Sequence, residues 1–332
     1  MNKAIYLWYE LRMTLFAVLG LLSSALLFVY LLRNGSIFSI PLACCLTVPL
    51  YLITLNINIY AGLGALLATT AGLLLLTTPL YAIMHTGVFL LPAFFGASLL
   101  YFSYFRLANN AKLTLSTVFF DLICANIIII STLLLLLEHI PALQDSLKHI
   151  ILTKINHALT VGQAYNIDIN LHEKLIEAKN LLEKHFNLIL ANMLAIYCLC
   201  FSLSNLYFAT LLSKKINSLK TLIFAWPKYL FLPLISMLLL PLFLFFSFVP
   251  TSHAIELVAN VGLVSFIIAF FAAGLAYLHN LTWPMYGRFF LLTLIYVSLA
   301  SSVIFTAPLF ITLTLMGLWS TLKYYGQYKY FI

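Results

Sequence analysis

The feature that most constrains this chain is a succession of apolar runs, each about 20 residues long, broken by one long polar passage at 138–185. That passage holds eleven of the 26 Asp, Glu, Lys and Arg residues and five of the eight His. The remainder is too apolar for water: 64% of residues are hydrophobic and 8% charged, where a soluble globule carries about 25% charged. A bilayer core of roughly 30 Å is crossed by about 20 apolar residues at 1.5 Å each. These runs predict an all-α fold, a polytopic transmembrane helical bundle.

Ten spans can be placed, near 14–32, 38–55, 59–78, 85–105, 116–137, 187–212, 229–248 and 255–278, with two more in 288–324. If that last stretch is one bent helix, the count is nine. The chain therefore divides into a five-span block at 1–137, the polar passage at 138–185, and a second block of four to five spans at 186–332. Pro41 and Pro49 kink the second span unless neighbouring helices satisfy the freed carbonyls. Gly62, Gly64, Ala65, Ala68, Ala71 and Gly72 allow close backbone approach in the third, which is expected to be central.

Within the polar passage, Leu147, Ile150, Ile151, Ile155 and Leu159 recur at helical spacing against Lys148, His149, Lys154 and His157. That pattern predicts an amphipathic helix lying on the membrane surface. A second helix is expected from Asn170, where Asn170 and Glu173 resemble a capping box, running directly into the sixth span.

Charge sets the expected orientation. Lys3, Arg12, Arg106, Lys112, Lys214, Lys215, Lys220, Lys228, Arg288, Lys323 and Lys329 fall on one side, and short loops on the other hold only Arg33. The positive-inside rule then places both termini in the cytoplasm and the polar passage outside. Trp8, Trp226, Trp283 and Trp319 gather near the cytoplasmic interface, where amphipathic rings prefer to sit. The net charge of +8 is read as an attraction to anionic lipid, with no nucleic-acid partner. Five spans on each side of an external passage give halves of opposite orientation, as in inverted-repeat transporters. Pro41-Leu-x6-Pro49-Leu-Tyr-Leu and Pro233-Leu-x6-Pro241-Leu-Phe-Leu form one short echo between them, for which chance is the competing account.

An ionisable group in hydrocarbon costs about 3 kcal/mol, which makes it a functional candidate. Asp121, with Asn126 five residues on, is the first, and His279 at the end of the eighth span is the second. Asn192 adds a hydrogen-bonding group in the sixth. Each has a structural alternative. Asp121 can be an interfacial carboxylate at a helix amino terminus, His279 an interfacial ring beside Trp283, and Asn192 an interhelical bond. The five His of the polar passage show no metal-ligand spacing, and no nucleotide-binding loop or catalytic triad is present. No enzyme activity, cofactor or metal is therefore expected. Cys44, Cys45, Cys124, Cys198 and Cys200 all lie within spans and form no CxxC.

GLLSSALLF (20–28), VPLYL (48–52), GLGALLA (62–68), LLPAFFGASLL (90–100), GLAYLHNL (274–281) and GLWSTL (317–322) resemble, in order, the YybS-like family. That family comprises uncharacterised bacterial membrane proteins (domain of unknown function 2232). The resemblance covers most of the chain except the polar passage. It implies a bacterial inner-membrane protein distantly like the substrate-binding components of energy-coupling-factor transporters and like MreD, with His279 as the polar residue matched to a motif.

Two functional expectations follow. A transport-type component binding a small solute would enclose a polar cavity between the third, fifth, sixth and eighth spans, contacted by Asp121, Asn126, Asn192 and His279. A non-transporting scaffold with a membrane or envelope protein partner would instead be a dry bundle. It would turn Asp121 to the headgroups and leave an apolar face on 144–160.

Overall fold

The computed structural model describes residues 3–33, 39–107, 115–164, 169–215, 230–249, 252–280, 289–294 and 306–328. In chain order the helices are α1 (Lys3–Arg33), α2 (Ser39–Ala43), α3 (Val48–Asn56), α4 (Ile59–Leu76) and α5 (Pro79–His85). A π-helical turn (Thr86–Leu90) leads from α5 into α6 (Leu91–Leu107). Then come α7 (Leu115–His139), α8 (Pro141–Ala164), α9 (Ile169–Lys184), α10 (Phe186–Lys215), α11 (Ile235–Phe248), α12 (His253–Asn280) and α13 (Thr306–Tyr328). Among the described residues, six apolar helical stretches are long enough to cross a bilayer: Trp8–Tyr30, Ile59–Leu76, Pro79–Phe102, Ser116–His139, Phe186–Ala209 and His253–His279. They mark a multi-pass membrane protein.

The other expected spans differ for local reasons. The second is broken into α2 and α3, with turns at residues 44–47 and a proline in the first turn of α3. The seventh is non-helical over residues 230–233 and helical only in α11, whose 14 residues reach about 21 Å. Residues 289–294 are helical and α13 follows, but 295–305, where the last two spans would divide, lie outside the described residues. Residues 108–114 and 216–229, with Lys112, Lys220, Trp226 and Lys228, also lie outside them, as do Trp283 and Arg288. The proline echo does not produce matching structure, because Pro49 starts a helix whereas Pro241 sits inside α11.

Two buried clusters organise the bundle. One gathers α7, α10 and α12 around Ile123, Ile130, Cys198, Leu199, Phe266 and Phe270. The other gathers α1, α3, α6 and α10 around Leu21, Leu50, Tyr51, Leu100 and Leu206. The expected central place of α4 is not observed: 28% of its span is buried, against 61% for α12. Only its Gly62, Ala65, Leu66, Thr69 and Leu73 are buried. Its small residues lie on more than one face, and Gly64 meets nothing within 4 Å. Close approach is used on α4 by Gly62 against Thr54 and Gly72 against Leu22, and it brings backbones together between α12 and α13. A Cβ on Gly274 would run into the carbonyl of Leu313, and one on Gly317 into that of Phe270. These glycines open the last two family-like segments, and they pair helices as small residues do in lipid.

α8 and α9 pack at one end of the bundle, and the first turns of α1 lie toward the other. There Asn58 caps α4 by accepting from Ala61 N–H (2.7 Å) and donates to Glu10 Oε1 (2.7 Å). The apolar stripe of α8 is half-buried protein packing: Leu143, Leu147, Ile151 and Ile155 rest against a cluster that includes Leu182 and Phe186. Of the expected surface stripe, Ile150 remains exposed. α9 reaches α10 through a single bend at His185, close to the expected continuous helix.

Candidate functional site

In hydrocarbon, each backbone or side-chain polar group must find a partner within the protein. Following those partners locates the site. The α2–α3 break is stitched at both ends by α10. Asn205 Oδ1 accepts from Thr47 N–H (2.9 Å), while Nδ2 donates to the carbonyls of Ala43 (3.1 Å) and Phe201 (2.7 Å). Here a neighbouring helix supplies what the proline-containing span lacks.

The second irregularity is left open. His85 is 2% exposed and ends α5 where the π-helical turn begins. Its Nδ1 shares a hydrogen bond with Tyr81 Oη (3.2 Å), and Tyr81 Oη also donates to the carbonyl of Ala25 (3.2 Å). His85 Nε2 is sealed from solvent and has no partner. The π turn brings Gly87 against Leu133 of α7, and its extra residue turns Phe89 into an aromatic series. His85 and Phe89 centroids are 5.1 Å apart, Phe89 stacks on Phe201 of α10 at 5.4 Å, and Phe201 stacks on Tyr197 at 5.7 Å. Single π-helical turns inside α-helices are uncommon and recur at functional positions.

Across from this series, Asn126 of α7 is 2% exposed and its Oδ1 accepts from Cys198 Sγ of α10 (3.0 Å). Asn126 Nδ2 is buried without a partner. Cys198 and Phe201 are one helical turn apart, so Asn126 and the aromatic series converge on one stretch of α10. Towards the α8–α9 end, Ser131 Oγ and Asn192 Oδ1 are likewise sealed and unpartnered. Buried polar atoms are nearly always paired, so each such atom needs an explanation.

The expected four residues are not gathered around one cavity. Asn126 belongs to the interior set, and Asn192 is half-buried on α10 about 9 Å along the helix axis from Cys198. Asp121 is half-buried beside Phe120, whose ring lies 6.1 Å from Phe266 of α12. His279, also half-buried, is about 20 Å further along α12 than Phe266. Asp121 and His279 therefore sit at different depths, and each has a partner. His85 was missed, although the rule that selected Asp121 applies equally to it, the one His of residues 1–137.

A polar cluster closes the α8–α9 end. Glu138 Oε1 of α7 accepts from Asn187 Nδ2 (2.9 Å) and lies 2.8 Å from His253 Nε2, and Asn187 Oδ1 accepts from Gln144 Nε2 (2.7 Å). His253 Nδ1 is 3.8 Å from Glu256. Beside it lies a cleft of about 320 Å³. Among the described residues, no group of three or more His, Cys, Asp or Glu could hold a metal ion. Compared with known proteins, the chain matches no family model, no curated protein and no solved structure.

Proposed function

We propose that this protein is a transport-type component of the bacterial inner membrane, of the YybS-like kind, with both termini cytoplasmic and the α8–α9 end outside. It binds a small uncharged polar solute between the π-helical turn, α7 and α10. The observation that carries this reading is the sealed, unpartnered Nε2 of His85 beside an aromatic series, with the unpartnered Asn126 amide on the opposing helix. A π-helical turn within a membrane-crossing helix is the kind of irregularity that recurs at functional positions. The unpartnered atoms are all from side chains that can stay neutral, and a buried charge here would lack a counter-charge. Asn192 and Ser131 supply polar contacts nearer the α8–α9 end. Asp121 and His279, at other depths, would act outside the central site.

The test is a thermal-shift series on detergent-purified protein with nucleosides, sugars and other neutral polar metabolites. A ligand at 100 times its dissociation constant stabilises by about 2.7 kcal/mol, and His85→Phe is expected to abolish that shift. A shift that survives both His85→Phe and Asn126→Leu would remove the interior site. The second reading is a scaffold. It is favoured by Ile150, Ile176 and Leu181, apolar residues exposed on the α8–α9 hairpin, which an envelope partner could cover. No shift across the panel, together with capture of a partner that is lost on Ile150→Ser and Leu181→Ser, would favour it.

A further inference from the structure

The hydrogen-bond roles around His85 follow from counting protons. Tyr81 Oη carries a single proton and has two neighbours, the Ala25 carbonyl at 3.2 Å and His85 Nδ1 at 3.2 Å. A carbonyl oxygen only accepts, whereas a neutral imidazole nitrogen takes either role according to the tautomer. If the hydroxyl gave its proton to Nδ1, two oxygens would stand 3.2 Å apart with lone pairs facing. Both contacts are satisfied only when the Tyr81 proton goes to Ala25 and His85 Nδ1–H donates to Oη. A neutral imidazole has one N–H, so Nε2 is a bare acceptor, sealed and unpartnered. The ring is also held in place. Tyr81 and Phe89, four residues before it and four beyond, lie at centroid distances of 5.5 Å and 5.1 Å, tilted by 32° and 33°.

The same count at Asn126 has the opposite sign. Its Oδ1 accepts from Cys198 Sγ, which leaves Nδ2, a group that only donates, buried without a partner. We infer that the interior site selects its solute by the direction of hydrogen bonding: the solute gives an O–H or N–H to His85 Nε2 and accepts from Asn126 Nδ2. Tyr81 is the positioning residue, since its hydroxyl sets the tautomer. This inference rests on the solute reading above and adds the sense of each contact. It names the chemical class as neutral molecules that carry an uncapped donor as well as an acceptor, alcohols and lactam-type N–H compounds among them. A methyl group on that donor leaves Nε2 unpaired in a sealed site, and a site built on such a bond rejects the analogue that lacks it.

Two measurements on the detergent-purified full chain test this. Nitrogen-15 NMR of protein labelled at histidine reads which ring nitrogen bears the proton, with the His85 signals assigned by their loss in His85→Phe. The neutral solutes of the thermal-shift panel are then each paired with a methylated derivative, for example uracil with 1,3-dimethyluracil and glycerol with its trimethyl ether. The free protein is expected to show His85 as Nδ1–H. A solute that stabilises the protein should perturb the Nε2 signal, and its methylated partner should bind about 100-fold more weakly. Tyr81→Phe should draw the proton away from Nδ1 and narrow that ratio below about ten-fold. An Nε2–H ring, or methylated solutes that bind as tightly as their parents and still depend on His85, would overturn the inference and leave the solute reading standing. An Nδ1–H ring whose Nε2 no solute of the panel touches would mean a trapped water only, and would remove both.

Discussion

Two breaks in helical regularity, at α2–α3 and at the π-helical turn after His85, meet opposite fates in the same bundle. In the first, the backbone groups of Ala43 and Thr47 are both satisfied by the Asn205 amide of α10. In the second, the backbone stays helical, but a buried imidazole nitrogen is left without a partner. A break closed by a side chain is a structural joint. One that keeps a polar atom open is available to a ligand, because nothing in the protein already uses it.

The largest effect that would break this contrast is expected at the joint. Asn205→Leu leaves a buried N–H and a buried carbonyl unpaired and should cost about 3 kcal/mol, read as a lower unfolding midpoint in detergent. A neutral result would mean that the α2–α3 break is held by something else. Gly317→Val tests a contact outside both breaks. It forces α13 off α12 and should cost about 2 kcal/mol in the same measurement, while leaving any solute shift in place.

The open break should respond much less. His85→Phe removes an unpartnered nitrogen along with the bond to Tyr81, whose hydroxyl keeps the Ala25 carbonyl. The two changes offset each other, so stability should move by about 1 kcal/mol or less. Asn126→Leu is expected to be smaller still, about 0.5 kcal/mol, because it gives up one hydrogen bond from a weak sulfur donor. A loss at either position as large as that of Asn205→Leu would erase the distinction between joint and site.

Part of this was legible in the chain. Pro41 and Pro49 announced a kink that a neighbour must satisfy, and Asn205 was visible as a polar residue in an apolar helix. The helices α7, α10 and α12 follow from unbroken apolar runs, and the α9–α10 junction from the continuity of the pattern across His185. The π-helical turn was not legible, since Thr86–Leu90 contains nothing that distinguishes it from the α-helical residues around it. Nor was the packing of α8: the stripe of Leu147, Ile151 and Ile155 predicts burial equally well against lipid or against protein.

By itself the sequence determined the solvent and the element type. Runs of about 20 apolar residues have only lipid to face and only helices to form there. The tertiary structure decided which polar residues are spent on architecture and which are left over. Asn126 and Asn205 look alike in their own apolar helices, yet Asn205 serves Thr47 across a separation of 158 residues while the Asn126 amide nitrogen is left unpaired. Local pattern sets which way a side chain points, but its partner belongs to another helix, and only the packed bundle brings the two together.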